Sequence, residues 1–130
     1  MKALRLISII FLIVFGGVTI FMSTSVVFDL FGIRAMEGNY VPFVVYANMV
    51  CGYMYIIAAL LYLKRPLTTA KILLVCTSLL IITFSAFLIY IQNGGVHELK
   101  TIKAMTFRVV ITALLTVVAF YIIKFSPDKD

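Results

Sequence analysis

A cluster of side chains that could bind a ligand or transfer a proton lies in one short stretch, Gln92–Arg108, of a mostly apolar chain. The stretch contains His97, which is the only histidine, and the bases Lys100, Lys103 and Arg108. Arg108 lies one to two turns inside an apolar run, and a charge within a membrane span is by default a candidate functional residue. The two lysines are at the start of a predicted helix, where the helix dipole disfavours cations.

Two interpretations of this cluster stay open. In the first, the three bases and His97 form an outward-facing site for a small anion or a lipid headgroup. In the second, Arg108 reaches a carboxylate, Asp29 or Glu37, and clamps the fourth span to the first. We favour the clamp, because polar groups in membrane helices commonly serve packing. The outer charge network that both interpretations use comprises Asp29, Arg34, Glu37, His97, Glu98, Lys100, Lys103 and Arg108.

Catalytic and metal chemistry have little support. The single histidine has no second nitrogen ligand within reach by sequence, so we expect no metal site. Cys51 and Cys76 fall near the middle of apolar runs; they could be neighbours, and the simpler interpretation is two independent buried thiols. No motif for a nucleophile, a zinc protease or a phosphate loop is present. We therefore predict that the protein is not an enzyme and has no cofactor.

The composition predicts a membrane protein. Of the 130 residues, 64% are hydrophobic and only 12% are charged, whereas a soluble domain has about 25% charged residues. The mean hydropathy is +1.18. The net charge of +6 is not interpreted as nucleic-acid binding, because the bases flank apolar runs, where they orient helices and meet lipid headgroups.

The charges are separated by four apolar runs, each long enough for a transmembrane helix of about 20 residues. The predicted spans are approximately 4–28, 41–63, 67–91 and 101–125, and the predicted outer loops are 29–40 and 92–100. Short connections favour a single all-α domain, an antiparallel up-down-up-down four-helix bundle. Gly94 and Gly95 are predicted to end the third span. A cleaved signal peptide is the rival for the first span, but the apolar core is longer than the usual region of about 7–15 residues.

The distribution of bases predicts the orientation. The larger group is Lys2, Arg5, Lys64, Arg65, Lys71, Lys124 and Lys129. The smaller group is Arg34, Lys100, Lys103 and Arg108. The side richer in bases is usually cytoplasmic. We therefore predict a cell-membrane protein with both termini inside and both charged loops outside.

A polar stripe within the spans predicts which faces meet other helices. It consists of Asn48 and Tyr55 in the second span and Thr112 and Thr116 in the fourth. Small and polar residues in lipid usually face neighbouring helices. A hydrated cavity reaching Asn48 and Thr112 would favour transport, whereas a dry core would favour a structural module.

Two hypotheses for the function follow. The first is a non-enzymatic accessory or interaction module that acts through its charged outer face. The alternative is a small oligomeric transporter or channel for an anion or another small solute. The expected partners are the lipid bilayer and either a second copy of the chain or a different membrane protein.

Overall fold

The computed structural model describes residues 2–28, 32, 41–95 and 97–125, and these contain four helices and no strand. The helices are α1 (Lys2–Val27), α2 (Pro42–Leu61), α3 (Pro66–Gln92) and α4 (Leu99–Phe125). Each is long and apolar enough to cross a membrane, which confirms the prediction of an all-helical chain with four spans. The chain is therefore a small multi-pass membrane protein by the length and composition of its helices. The up-down order and the side on which the termini lie stay predictions.

Proline and glycine set the helix ends. Both α2 and α3 begin at a proline, which lacks an N–H group and is well suited to the first turn. At the end of α3, Gly94 has a φ of +83°, a conformation that glycine adopts without steric cost. The Gly95 N–H donates to the Tyr90 carbonyl at 2.9 Å and the Gly94 N–H donates to the Ile91 carbonyl at 3.0 Å. These two bonds form a Schellman motif, so the paired glycines end α3 as predicted.

The seam between α1 and α2 is closely packed around two glycines. A Cβ atom at Gly52 would lie 2.8 Å from Ile20 Cγ1, and one at Gly16 would lie 3.0 Å from Tyr55 Cβ. Neither position has room for a side chain without a shift of its neighbours. Small residues allow helices in lipid to approach closely and gain dispersion contacts, so this seam fixes α1 against α2.

The other pairs of helices differ in how extensively they contact each other. Extended contacts join α2 to α3 and α3 to α4, whereas α1 and α4 approach each other at only a few positions. The Thr69 hydroxyl of α3 donates to the Ala58 carbonyl of α2 at 2.8 Å, in the buried part of the α2–α3 contact. Each helix thus packs against its neighbour in sequence, and the contact between the first and last helices is the loosest of these four seams.

The centre of the bundle contains a set of paired hydroxyl groups, which we call the interior network: Tyr55, Thr77, Thr112 and Thr116. The hydroxyls of Tyr55 and Thr112 share a buried hydrogen bond of 2.6 Å, and those of Thr77 and Thr116 lie 3.0 Å apart. The thiols of Cys51 and Cys76 lie close enough to influence each other. They are neighbours, as their similar depth allowed, and both are free thiols.

Candidate functional site

A cavity of about 290 Å³ lies between the second half of α1, the first half of α2 and the first half of α4. We call it the α1–α4 pocket, because it occupies the loosest seam of the bundle. Its described lining includes no residue of α3. The lining residues are Val18, Thr19, Met22, Ser23, Val26, Val41, Val44, Val45, Asn48, Lys100, Thr101, Ala104, Met105 and Arg108.

The wall from α4 has a cationic edge. Lys100, Ala104 and Arg108 are spaced four residues apart, so they project from the same side of the helix. Lys100 is exposed and Arg108 is half-buried. The first three turns of α4 therefore direct two cations towards one space, one near its rim and one deeper.

Arg108 bridges the loose seam to α1. Its Nη1 atom donates a hydrogen bond of 2.8 Å to the Thr19 hydroxyl, and its guanidinium carbon lies 4.9 Å from the centre of the Phe15 ring. The ring face attracts the cation, and both contacts hold the guanidinium in place. A guanidinium has five N–H donors in a planar fork, so it has more donor capacity than one hydroxyl can use.

The wall from α2 presents an unusual acceptor. The Oδ1 atom of Asn48 is buried and has no hydrogen-bond partner among the described residues. An unsatisfied buried polar atom is destabilising by about 1–3 kcal/mol. Such atoms in native proteins are commonly paired with a bound molecule or an ordered water. Oδ1 has almost no accessible surface, so the surrounding helices enclose it and a donor in the cavity does not reach it.

The structure brings together only some of the predicted site residues. Arg108, Lys100 and Asn48 line one cavity. Lys103 is exposed on α4 and is not part of the lining. His97 Nδ1 lies 3.1 Å from the Gly95 carbonyl oxygen, and its ring packs edge-on against Phe87 at a centroid distance of 6.1 Å. His97 is thus held by the turn before α4 and not by the pocket.

The remaining predicted residues divide into three groups. Tyr55, Thr112 and Thr116 belong to the interior network, outside the pocket lining. The Glu98 carbonyl accepts a hydrogen bond of 3.0 Å from the Thr101 N–H in the first turn of α4. Asp29, Arg34 and Glu37 lie outside the described residues.

Sequence reasoning missed the contribution of α1 to the pocket. Thr19 and Ser23 are four residues apart on a face that also contains Gly16. Small and polar residues at this spacing are typical of a helix-packing face, but Thr19 and Ser23 also line the cavity. Thr101, seven residues before Arg108 on α4, lines it as well. Phe15, whose ring contacts the guanidinium, is not distinguished in the sequence from the other apolar residues of α1.

The arrangement has the chemistry of a binding site. Cations, hydroxyl groups and one amide surround a space that is otherwise apolar, and no described lining residue is acidic. The described residues include no group of three or more His, Cys, Asp or Glu side chains placed to hold a metal ion. Comparisons with protein family models, curated proteins and solved structures gave no match.

Proposed function

We propose that this protein is a non-enzymatic accessory module of the cell membrane whose outer end binds an anionic group. The observation that carries the proposal is the guanidinium of Arg108, which is held inside the α1–α4 pocket by Thr19 and Phe15. Lys100 adds a second positive charge on the same face of α4. A phosphate or carboxylate would supply a countercharge for Arg108, whose contacts among the described residues are a neutral hydroxyl and an aromatic ring.

The partial burial of Arg108 makes the binding of an anion favourable. A cation within a membrane span is expensive unless it meets a partner, and the Thr19 hydroxyl is neutral. Hydrogen bonds to a charged group contribute about 1.5–3 kcal/mol, and an arginine fork can bind two oxygens of one anion. An anion in the pocket therefore gains more from Arg108 than it would from an exposed base.

The bias of positive charge supports the orientation. Both termini and the link between α2 and α3 carry the larger share of bases, so we place them in the cytoplasm. In an up-down-up-down bundle this puts the α1–α4 pocket at the outer surface. The interaction partner in this proposal is a second copy of the chain or another membrane protein.

The interior network favours a binding module over transport. The pocket reaches Asn48, but Thr112 is fully buried and its hydroxyl is paired with that of Tyr55. The ring of Tyr55 in turn contacts that of Phe15, with centroids 5.2 Å apart. A solute that crossed the bundle would have to separate these paired groups. The alternative of a transporter therefore requires a different conformation or a path between subunits.

The test is retention of anionic lipid by the purified protein, measured by native mass spectrometry from detergent. We expect the wild type to retain phosphatidylglycerol more strongly than phosphatidylcholine of the same acyl chains. The variant Arg108→Gln should lower the affinity for phosphatidylglycerol by about tenfold to a hundredfold, the equivalent of one charge-assisted hydrogen bond. Added inorganic phosphate is the competing probe, since displacement of the lipid would identify a free anion as a ligand as well.

The matched control is Lys103→Gln, which removes an exposed base of the same helix outside the pocket lining. We expect its affinity to stay within about twofold of the wild type, because exposed charges contribute little in high dielectric. Equal losses for the two variants would overturn the proposal. Equal retention of the anionic and the neutral lipid by the wild type would overturn it as well.

A further inference from the structure

We infer that the anionic group bound in the α1–α4 pocket belongs to a phospholipid, which enters sideways from the bilayer and keeps its acyl chains in the membrane. This inference rests on the proposed function, because Arg108 supplies the site for the phosphate. It deepens that function by naming the source of the anion. The other source is a soluble anion that enters from the water, and the two ligands need different openings.

The guanidinium of Arg108 lies well below the ends of the helices. It contacts Thr19 and Phe15 of α1, a helix that ends at Val27. At a rise of about 1.5 Å per residue, these two positions are about 12–18 Å from that end. The 26 residues of α1 extend only about 5 Å beyond each side of a hydrocarbon core of about 30 Å. With α1 centred in the bilayer, the cation is therefore at the depth of the acyl chains.

The rim of the pocket lies at the level of the headgroups. Lys100 is the second residue of α4 and is exposed. It precedes Arg108 by eight residues, which is about 12 Å along the helix axis. The hydroxyl residues Thr101 and Ser23 also line the cavity. The pocket thus joins the headgroup level to the acyl level, and its polar side chains can accompany a phosphate between them.

The pocket also opens towards the acyl chains. Val18 of α1 is 57% exposed and Ala104 of α4 is exposed, and both residues line the cavity. They belong to the two helices of the loosest seam. Exposed side chains within a membrane span face lipid. A soluble anion needs only the opening at the rim, whereas a phospholipid whose phosphate reaches Arg108 must pass its chains through the side. The seam supplies that passage.

The size of the cavity fits a part of a lipid. Its volume of about 290 Å³ is near the lower end of the range of about 300–1,000 Å³ for sites that enclose a whole small molecule. A complete phospholipid does not fit inside, so its acyl chains must stay outside. The apolar lining, which includes Met22 and Val44, can contact the part of the lipid next to the phosphate.

The first experiment narrows the side opening from each helix. We expect Val18→Phe and Ala104→Phe each to bind phosphatidylglycerol about fivefold to a hundredfold more weakly than the wild type, the equivalent of overpacking. Native mass spectrometry from one detergent measures the affinities, so partition of the lipid into micelles is the same for every variant. Two variants on different helices keep the test decisive if one of them does not fold. Wild-type affinity in a folded variant of either kind would overturn the inference.

The matched controls make the same substitutions on α3, which contributes no described residue to the lining. Val75 is 58% exposed and Ala86 is exposed. We expect Val75→Phe and Ala86→Phe to stay within about twofold of the wild type, as is usual for substitutions on a surface. If these controls lose as much affinity as the seam variants, the effect does not come from the side opening and the inference is wrong.

The second experiment removes the acyl chains from the ligand. Glycerophosphoglycerol has the headgroup and charge of phosphatidylglycerol and enters from water. We expect it to compete at least about tenfold more weakly than the intact lipid, because each buried methylene group of the lipid adds to its affinity. Competition as strong as that of the lipid would show that a soluble anion is sufficient. Equal weakening of both ligands by Ala104→Phe would mean that the phenyl ring fills the anion site, and it would overturn the side route.

The failure of this inference is distinguishable from that of the proposed function. If Arg108→Gln weakens lipid binding and the seam variants do not, the anion site stands and the lipid route is wrong. If Arg108→Gln leaves lipid binding unchanged, the anion site is wrong and the inference falls with it.

Discussion

Helix α1 has two very different seams. Against α2 it is packed so closely that a methyl group at Gly52 would collide with Ile20. Against α4 it approaches at few positions, and the side chain of Arg108 crosses the gap to Thr19. Dispersion contacts at the first seam fix the position of α1. The second seam can therefore stay open enough to hold a ligand without loss of the bundle.

The polar groups of the two regions differ in the same way. In the interior network the hydroxyls of Tyr55 and Thr112 satisfy each other, so this region needs nothing from outside. In the pocket, the guanidinium of Arg108 has more donors than the Thr19 hydroxyl can accept. Polar residues that satisfy one another indicate structure, whereas a charged group that faces a cavity with donors to spare indicates binding.

The largest effect is expected at the tight seam. Gly52→Ile would force a branched side chain against Ile20 and Thr19, and overpacking typically destabilises by about 1–3 kcal/mol. Circular dichroism during thermal unfolding in detergent measures this loss of stability. The matched control is Gly17→Ile, since a Cβ atom at Gly17 meets nothing within 4 Å. If the two variants melt at the same temperature, the contrast between the seams is wrong.

A smaller effect is expected at the loose seam. The variants Arg108→Gln and Thr19→Val, alone and combined, form a double-mutant cycle for the bond between α4 and α1. Polar interactions between membrane helices measured in this way average about 0.6 kcal/mol and reach about 1.7 kcal/mol; we expect the upper part of that range, because the donor is charged. Thr19→Val combined with Lys103→Gln is the control and should be additive. Additive stabilities in the first cycle would mean that Arg108 does not bridge the seam.

The smallest effect is expected in the interior. Tyr55→Phe removes the bond to Thr112 and should lower stability by about 0.6 kcal/mol, since the threonine hydroxyl can turn to a carbonyl of its own helix. Lipid affinity should not change. Tyr53→Phe, at an exposed position of the same helix, is the control for the loss of a phenol. A fall in lipid affinity for Tyr55→Phe alone would show that the interior and the pocket act as one site.

The four helices and the cationic face of α4 could be predicted from the sequence alone. Four apolar runs of spanning length predicted four helices, because lipid requires every backbone polar group to be paired within its own segment. Lys100 and Arg108 are eight residues apart, so the helical repeat places them on one side of α4. The same repeat turns Lys103 roughly 140° away from Arg108, which explains its position outside the pocket lining.

The contacts of the site were not predictable from the sequence. The expected carboxylate partners of Arg108, Asp29 and Glu37, lie outside the described residues, so that pairing stays a prediction. The contact that the structure shows is the hydroxyl of Thr19, 89 positions away. A threonine has no strong sequence signature as a partner, because its hydroxyl can bond to its own backbone equally well. Ser78 illustrates this: it is exposed on α3 and donates to the Leu74 carbonyl at 3.0 Å. The charge of Arg108 was informative, but the identity of its partner depended on how the helices pack.

The hydrogen bond from Thr69 to the Ala58 carbonyl has a consequence for biosynthesis. It joins α2 to α3 across the short link 62–65, so this hairpin can pair its polar groups as soon as both helices have left the ribosome. Both cations of the pocket belong to α4, which is synthesised after the other three described helices. A nascent chain that ends before residue 99 would contain the hairpin and the glycine seam but lack the anion site. Ligand binding would therefore report that α4 has been translated and inserted.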